Sequence, residues 1–379
     1  MIRALIRKIR EKKFSYEPLV KIILDGAQLT KNFRTFVSLR EGLRIAPVLK
    51  SNAYGHGLLI VGKKLDTEHP PFFVVDSYHE ALMLKNEGIR SDVLVLGYTS
   101  PQNILNAKRG DVVFGITTMV QLEEISRSLR QKMRFHLKVD TGMHRQGIMQ
   151  NELNDAISFI KKNPYIVLEG ICSHFADADV NESEITKKQI EIWNTIVETI
   201  KGKFSGLLYT HVEATAGTQY GGLIRANVAR VGLGTYGIDS AKRDHLDIAP
   251  VMRMESIIAG VKKILPGECV GYNATFCAQQ ETVVATVPVG YFEGIDRRLS
   301  NAGFFKVKGE YCPIVGRVNM NMTSIDVSRI KDIREGDTVE VVSNVPGDKN
   351  SVQSMAEICG TIPYEILVGI PERIRRVWK

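Results

Sequence analysis

Long apolar runs are missing from this chain. None reaches the roughly 18 residues that a membrane-crossing helix needs, so no membrane span is expected. The start, Met1-Ile2-Arg3-Ala4-Leu5-Ile6-Arg7-Lys8-Ile9-Arg10, interleaves charge throughout and lacks a small-residue cleavage site, which argues against a secretory leader. Ile2, Leu5, Ile6 and Ile9 share one face of a short basic helix, better suited to packing on its own protein than to a membrane surface. Cysteine is sparse. Cys172, Cys269, Cys277, Cys312 and Cys359 are scattered and odd in number, so neither a metal cluster nor a disulfide framework is expected, and a reducing, cytoplasmic setting is. Zinc-finger spacings, RNA-binding signatures and internal sequence repeats are absent as well. The formal charge of +8 suits anionic ligands but is too dispersed to make nucleic acid a partner.

What is present is an ordinary globular composition over 379 residues, enough for one large domain and a smaller one. A strand is expected at 19–24 and a helix at 28–39, and then a strand–helix rhythm sets in. Strands are predicted at 44–49, 72–75, 93–96, 112–116, 135–139, 167–174, 207–211 and 228–233. These runs are short and nearly all apolar, the pattern of parallel strands covered on both faces. Eight of them point to a (β/α)8 barrel, with a doubly wound open sheet as the alternative. From about Pro250 the texture changes. Strands are predicted at 256–264, 282–287, 304–308 and 338–342, with turns at Pro266-Gly267, Lys308-Gly309 and Pro346-Gly347 and no long helix before 351–358. The expected organisation is a basic N-terminal extension at 1–17, a barrel at 18–249 and a smaller, mostly β C-terminal domain at 250–379. The strand at 19–24 precedes the barrel's first strand and is free to pair with the second domain.

One stretch organises the rest: Ala46-Pro47-Val48-Leu49-Lys50-Ser51-Asn52-Ala53-Tyr54-Gly55-His56-Gly57. An apolar run rich in β-formers ends on a lysine, and a polar, glycine-containing turn follows. Such a position suits a nucleophilic or Schiff-base lysine. Tyr54 and the glycine turn offer a hydroxyl and backbone N–H groups to an anion. Taken alone, the same residues also describe a lysine snorkelling from a strand end. Strand C-termini share the mouth of a barrel, which brings Lys50, Lys138, His174, His211 and Arg230 to one place.

The 48–57 stretch resembles the pyridoxal-phosphate (PLP) lysine motif of the alanine racemases. Further stretches resemble that family's motifs in the same order: 137–147, 170–176, 210–215, 230–237, 270–276, 287–291 and 316–320. The resemblance implies PLP as cofactor, held by Lys50. It implies that Arg145 reaches the cofactor's phenolic oxygen and the substrate, and that Lys138 occupies a position often carbamylated. His174 orients the catalytic tyrosine, and His211 supports Arg230, which faces the pyridine nitrogen. An arginine does not readily give up a proton, so that nitrogen stays unprotonated and the cofactor becomes a weaker electron sink, which disfavours transamination. Tyr54, Thr215, Gly232, Leu233 and Tyr364 are implied to bind phosphate, and Tyr291, Asn319, Met320 and Asn321 to contact substrate.

The activity implied is racemisation of L- and D-alanine by two bases, Lys50 and Tyr272 of the partner subunit, in a head-to-tail homodimer with shared sites. Asn319-Met320-Asn321 stands where the family commonly reads Cys-Met-Asp, which keeps a serine-preferring or broader amino-acid racemase open. A PLP-dependent decarboxylase would share both domains, but its cysteine-centred C-terminal motif is missing. A non-catalytic PLP-binding barrel would need no second domain bearing Tyr272. No resident metal is expected.

Overall fold

The computed structural model describes residues 16–107, 110–241, 243 and 246–379, so the amphipathic stretch expected at the N-terminus lies outside the described residues. Two compact units emerge. One spans Asp25–Val251; the other joins the chain up to Leu24 to Met252–Lys379. The strand β1 (Lys21–Leu24) opens the span assigned to the barrel, yet it sits in the second unit.

In the first unit, eight parallel strands follow one another: β2 (Arg44–Pro47), β3 (Phe73–Val75), β4 (Val93–Val95), β5 (Val112–Ile116), β6 (Met133–Lys138), β7 (Ile166–Cys172), β8 (Tyr209–His211) and β9 (Val228–Val231). Pairing runs unbroken from β3 to β8 and joins β2 to β9. The two remaining seams are closed by the parallel bridge Val48↔Val74 and by Asn227 N donating to Thr210 O (3.0 Å) and Arg230 N to Glu213 O (2.9 Å). The ring of eight is therefore complete, as the apolar strand pattern implied. Five of its helices start where side chains cap them. Asp25, Ser77, Ser100, Thr118 and Ser183 each accept a backbone N–H of the first turn, and Ser77 with Glu80 forms a full capping box.

The second unit is mostly β. Its strands are β10 (Met252–Ile257), β11 (Gly260–Ile264), β12 (Cys269–Val270), β13 (Phe276–Cys277), β14 (Thr282–Val287), β15 (Phe304–Val307), β16 (Glu310–Pro313), β17 (Thr323–Asp326), β18 (Thr338–Val342) and β19 (Arg375–Trp378). One sheet runs β16-β15-β18-β10-β1-β19, a second β11-β14-β17, and β12 pairs with β13 alone. The single strand expected at 256–264 is two. Ile258 N bonds to Asp337 O (2.9 Å), whereas Ala259 N bonds to Thr286 O (2.8 Å), so the chain changes sheets between adjacent residues. The expectation of no disulfide is also corrected, since Cys269 and Cys277 are bonded across the β12–β13 hairpin. Strand register places them opposite each other, a proximity that scattered spacing did not reveal. Cys172, Cys312 and Cys359 are free and buried. No described helix is long and apolar enough to cross a membrane.

Candidate active site

The lysine stretch adopts an unusual backbone. Beyond β2, Ser51, Asn52, Ala53 and Tyr54 all have φ between 52° and 56°, a left-handed turn made without glycine. Left-handed residues cost roughly 1–2 kcal/mol each, so the turn forms only because its surroundings hold it. Glu80 Oε1 accepts from Ser51 N (2.6 Å) and Asn52 Oδ1 from Leu58 N (2.8 Å), while Ala53 N donates to Leu49 O (2.8 Å). Backbone strain of this kind concentrates at functional sites. Glu80 thus serves both the helix cap and the lysine turn, a role the sequence pattern did not disclose.

Around this turn the barrel mouth gathers cations. Burial, reinforced by Arg230, Arg145, Lys138 and Lys50, holds the His174 imidazole down to about 3. Lys138 is likewise lowered, by burial first and then by Arg230, Arg145 and Lys50, with only Cys172 opposing. Cations gathered at one mouth favour anionic ligand groups there. Lys138 Nζ meanwhile donates to Gln146 Oε1 (2.9 Å).

Arg230 anchors the deepest part. NH1 donates to His211 Nδ1 (2.8 Å) and His211 O (2.7 Å); NH2 donates to Ser173 O (2.7 Å) and His174 Nδ1 (3.1 Å). Guanidinium only donates, so both imidazoles accept at Nδ1 and carry their hydrogen on Nε2. Burial, and then Arg230, lowers His211 well below the ordinary histidine value. His174 stands two residues beyond β7, not within the strand as expected.

The 232–236 turn passes close to Tyr54. A side chain on Gly232 would meet the Tyr54 hydroxyl at 2.6 Å, so glycine alone permits this approach. Gly234 N donates to Thr215 Oγ1 (3.1 Å), which draws Thr215 to the same 232–236 turn. Arg243, missed in the sequence, braces Thr215 by donating to Thr215 O (2.9 Å) and Thr218 Oγ1 (3.0 Å). Tyr54 and Thr215, both expected at the phosphate, therefore meet the same turn that carries Gly232 and Leu233. A lysine on a strained turn, a group of cations and a hydroxyl-bearing glycine turn match the chemistry of PLP, whose aldehyde, phenolic oxygen and phosphate need those partners.

The second unit carries its own constellation. Tyr272 follows β12 on a turn where Gly271, Asn273 and Ala274 have positive φ, and its side chain is 70% exposed. Tyr272, Tyr291, Asn319, Met320 and Asn321 line one cavity of about 350 Å³, together with Arg297, which the sequence reading missed. Tyr291 N and Phe292 N donate to Asn319 O (3.0 Å) and Met320 O (2.9 Å), locking the two loops together. Asn321 Nδ2 donates to Glu293 Oε1 (3.1 Å), itself paired with Arg373. The buried Oδ1 of Asn319 has no partner among the described residues. Tyr364 lies on the helix Pro363–Val368 of this unit and is not part of that cavity's lining.

A closed parallel barrel with a Schiff-base-type lysine at its mouth, followed by a β unit presenting a tyrosine, defines the class of barrel-type PLP enzymes. The chain belongs to the alanine racemase family, a family of PLP-dependent amino-acid isomerases. The family's N-terminal domain matches residues 24–240 and its C-terminal domain residues 251–378. The alanine racemase of Citrifermentans bemidjiense is 34% identical, covering 94% of this chain and 97% of the relative. Alanine racemase 1 of Caldanaerobacter subterraneus subsp. tengcongensis is 31% identical, covering 95% and 94%. The solved alanine racemase of Clostridium difficile 630 superposes with a TM-score of 0.88 at 28% identity, covering 96% of this chain and 97% of that one.

Proposed function

We propose that the protein interconverts L- and D-alanine with two bases, Lys50 on one face of the substrate and Tyr272 of the partner subunit on the other. The observation that carries this reading is the placement of Lys50 at the start of a strained left-handed turn beyond β2, with Lys50, Lys138, Arg145 and Arg230 all acting on a neutral His174. PLP bound there through Lys50 acidifies the substrate's α-proton. The chain's own residues do the rest. Tyr54, Thr215 and the 232–233 backbone grip phosphate, with Tyr364 as a further phosphate ligand. Arg145 holds the phenolic oxygen and the substrate carboxylate. Arg230 presents a donor-only guanidinium to the ring nitrogen, leaving that nitrogen unprotonated.

The Lys50 amine, in its free form, would take or return the α-proton on its face. Tyr272 does the same opposite, and the Nε2 hydrogen of His174 supports its phenolate. The lowered Lys138 amine is neutral more often than an exposed lysine, the form that accepts carbon dioxide, so a carbamate there would supply an anion to orient Arg145. Serine is a second substrate on this reading, because Asn319 and Asn321 replace less polar or charged neighbours and Asn319 Oδ1 is unpartnered.

Subunit mixing tests the shared site. Lys50→Ala and Tyr272→Phe chains, each inactive alone, are combined and allowed to exchange. Random pairing of equal amounts makes about half the dimers mixed, each with one intact site of two, so activity recovers to roughly a quarter of wild type. No recovery despite demonstrated exchange would place both bases on one chain.

A further inference from the structure

Barrel interiors are normally filled with branched apolar side chains. Here a string of polar groups crosses the interior: Arg230, His211, His136 and Glu169 are 5%, 0%, 0% and 6% exposed. Burying four such groups is costly unless each is answered by the next. The direction of the string follows from its first member. Arg230 NH1 can only donate, so His211 Nδ1 must accept at 2.8 Å. The hydrogen of His211 is then on Nε2, which faces His136 Nδ1 at 2.7 Å. His136 must in turn accept there and carry its own hydrogen on Nε2. A protonated imidazolium at either histidine would set two hydrogens against each other.

The Nε2 of His136 has no hydrogen-bond partner among the described residues, and the acceptor beside it is Glu169 Oε2 at 3.6 Å. The other Glu169 oxygen is held by Arg134 NH1 (3.0 Å), which also pairs with Asp92.

Two backbone features build this arrangement. Register between β6 and β7 slips after Phe135, which pairs with Leu168, so that His136 pairs with Gly170 and Glu169 is the extra residue of a bulge. Bulges re-aim side chains and recur beside active sites. The neighbouring Gly170 leaves room for the ring, since a Cβ there would stand 2.7 Å from His136 Cε1 and Nδ1. Phe72 closes the ring's edge at a centroid distance of 5.3 Å.

We propose that His136 and Glu169 are positioning residues. Through His211 they fix the imidazole tautomers and hold Arg230 in the orientation that meets the cofactor, with the Glu169 carboxylate as the far anchor. The proposal rests on the reading of Arg230 as the cofactor's ring-nitrogen partner, yet its core can be tested without cofactor.

In ¹⁵N-labelled protein freed of cofactor, both His136 and His211 should show a protonated, pyrrole-type Nε2 and a bare, pyridine-type Nδ1 at neutral pH. A hydrogen on Nδ1 of either ring overturns the relay, and no variant is needed to see it. In the cofactor-loaded protein, Glu169→Gln and Gly170→Ala should broaden or shift those signals and move the absorbance maximum of bound cofactor. They should also lower kcat about tenfold, the scale of outer-shell partners elsewhere, with KM within a factor of two. His136→Gln, which keeps one acceptor and one donor, should retain more of kcat than His136→Phe. Unchanged spectra and kcat in Glu169→Gln and Gly170→Ala would reduce the string to packing and overturn the positioning role. If the wild-type tautomers are as assigned but the protein neither binds PLP nor racemises, the proposed function has failed while the relay stands.

Discussion

The barrel mouth and the tyrosine hairpin are held by opposite means. At the mouth, Arg230 makes bonds to two segments, 173–174 and 211–212, and is almost wholly buried, and the lysine turn is pinned by Glu80 and Asn52. Tyr272 stands on a two-strand hairpin, 70% exposed, its turn closed by one disulfide. One pole is preorganised by its own unit. The other is displayed. An exposed tyrosine is accessible to a second copy, as the proposed shared site requires.

Several substitutions sharpen this contrast. The largest effect belongs to the preorganised pole. Lys50→Ala should abolish the absorbance of bound cofactor and reduce racemisation by more than about a thousandfold. A borohydride-reducible lysine adduct that survives elsewhere in the chain would refute the assignment.

At the displayed pole the expected effect is on selectivity. Asn321→Asp places a charge beside Glu293 and restores the family's carboxylate, and it should shift the alanine-to-serine ratio of kcat/KM about tenfold towards alanine, with cofactor absorbance unchanged. A ratio that stays within a factor of two, measured by chiral chromatography of both products, would remove Asn321 from substrate choice.

Acid should distinguish the poles by stability. His174 is held at about 3, and His136 and His211 are lowered too, mainly by burial. Below the unfolded value of 6.5 the unfolded chain takes up protons that the folded barrel refuses, so barrel stability falls as pH drops from about 6.5 towards 3 and is level above that window. Trp193 is buried in the barrel unit and Trp378 lies in the other, so single-tryptophan variants followed by fluorescence separate the two. A barrel Tm that stays level from pH 7 to 4 would contradict three neutral histidines.

The smallest change is expected from Cys269→Ser. Opening the short loop should cost about 2 kcal/mol locally and lower kcat/KM less than tenfold, leaving cofactor binding intact. Hydrogen exchange confined to 268–278 would show that the clasp serves the hairpin alone, whereas a loss of cofactor absorbance would join the two poles.

The barrel was legible because its strands are buried on both faces and read as continuous apolar runs. Lys50, Lys138, His211 and Arg230 were placed by the rule that strand ends share a mouth. His136 was also within reach, since it sits two residues before Lys138 and so shares its face of the strand. Glu169, a charge inside an apolar run, was a second signal left unread. Other features have no local signature. The left-handed turn at 51–54 contains no glycine to announce it, and the hairpin disulfide depends on register between strands only two residues long. The switch of sheets at Ile258–Ala259 is decided by distant partners, Asp337 and Thr286, so an unbroken β-forming run concealed it.

The position of β1 has a consequence for how the chain is made. It lies between β10 and β19, antiparallel to the first and parallel to the second, so Lys21 faces Glu255 on one side and Arg375 on the other. β1 must therefore wait while the whole barrel sequence emerges before its first neighbour exists, and for the rest of the β unit before its second. Contacts of such separation form late and slowly, so the barrel should fold on the ribosome ahead of the β unit. A fragment that starts at residue 250 would leave β10 and β19 with bare edges where β1 belongs, and bare edges recruit other chains. Supplied as a separate peptide, the 16–26 segment should restore such a fragment to solubility.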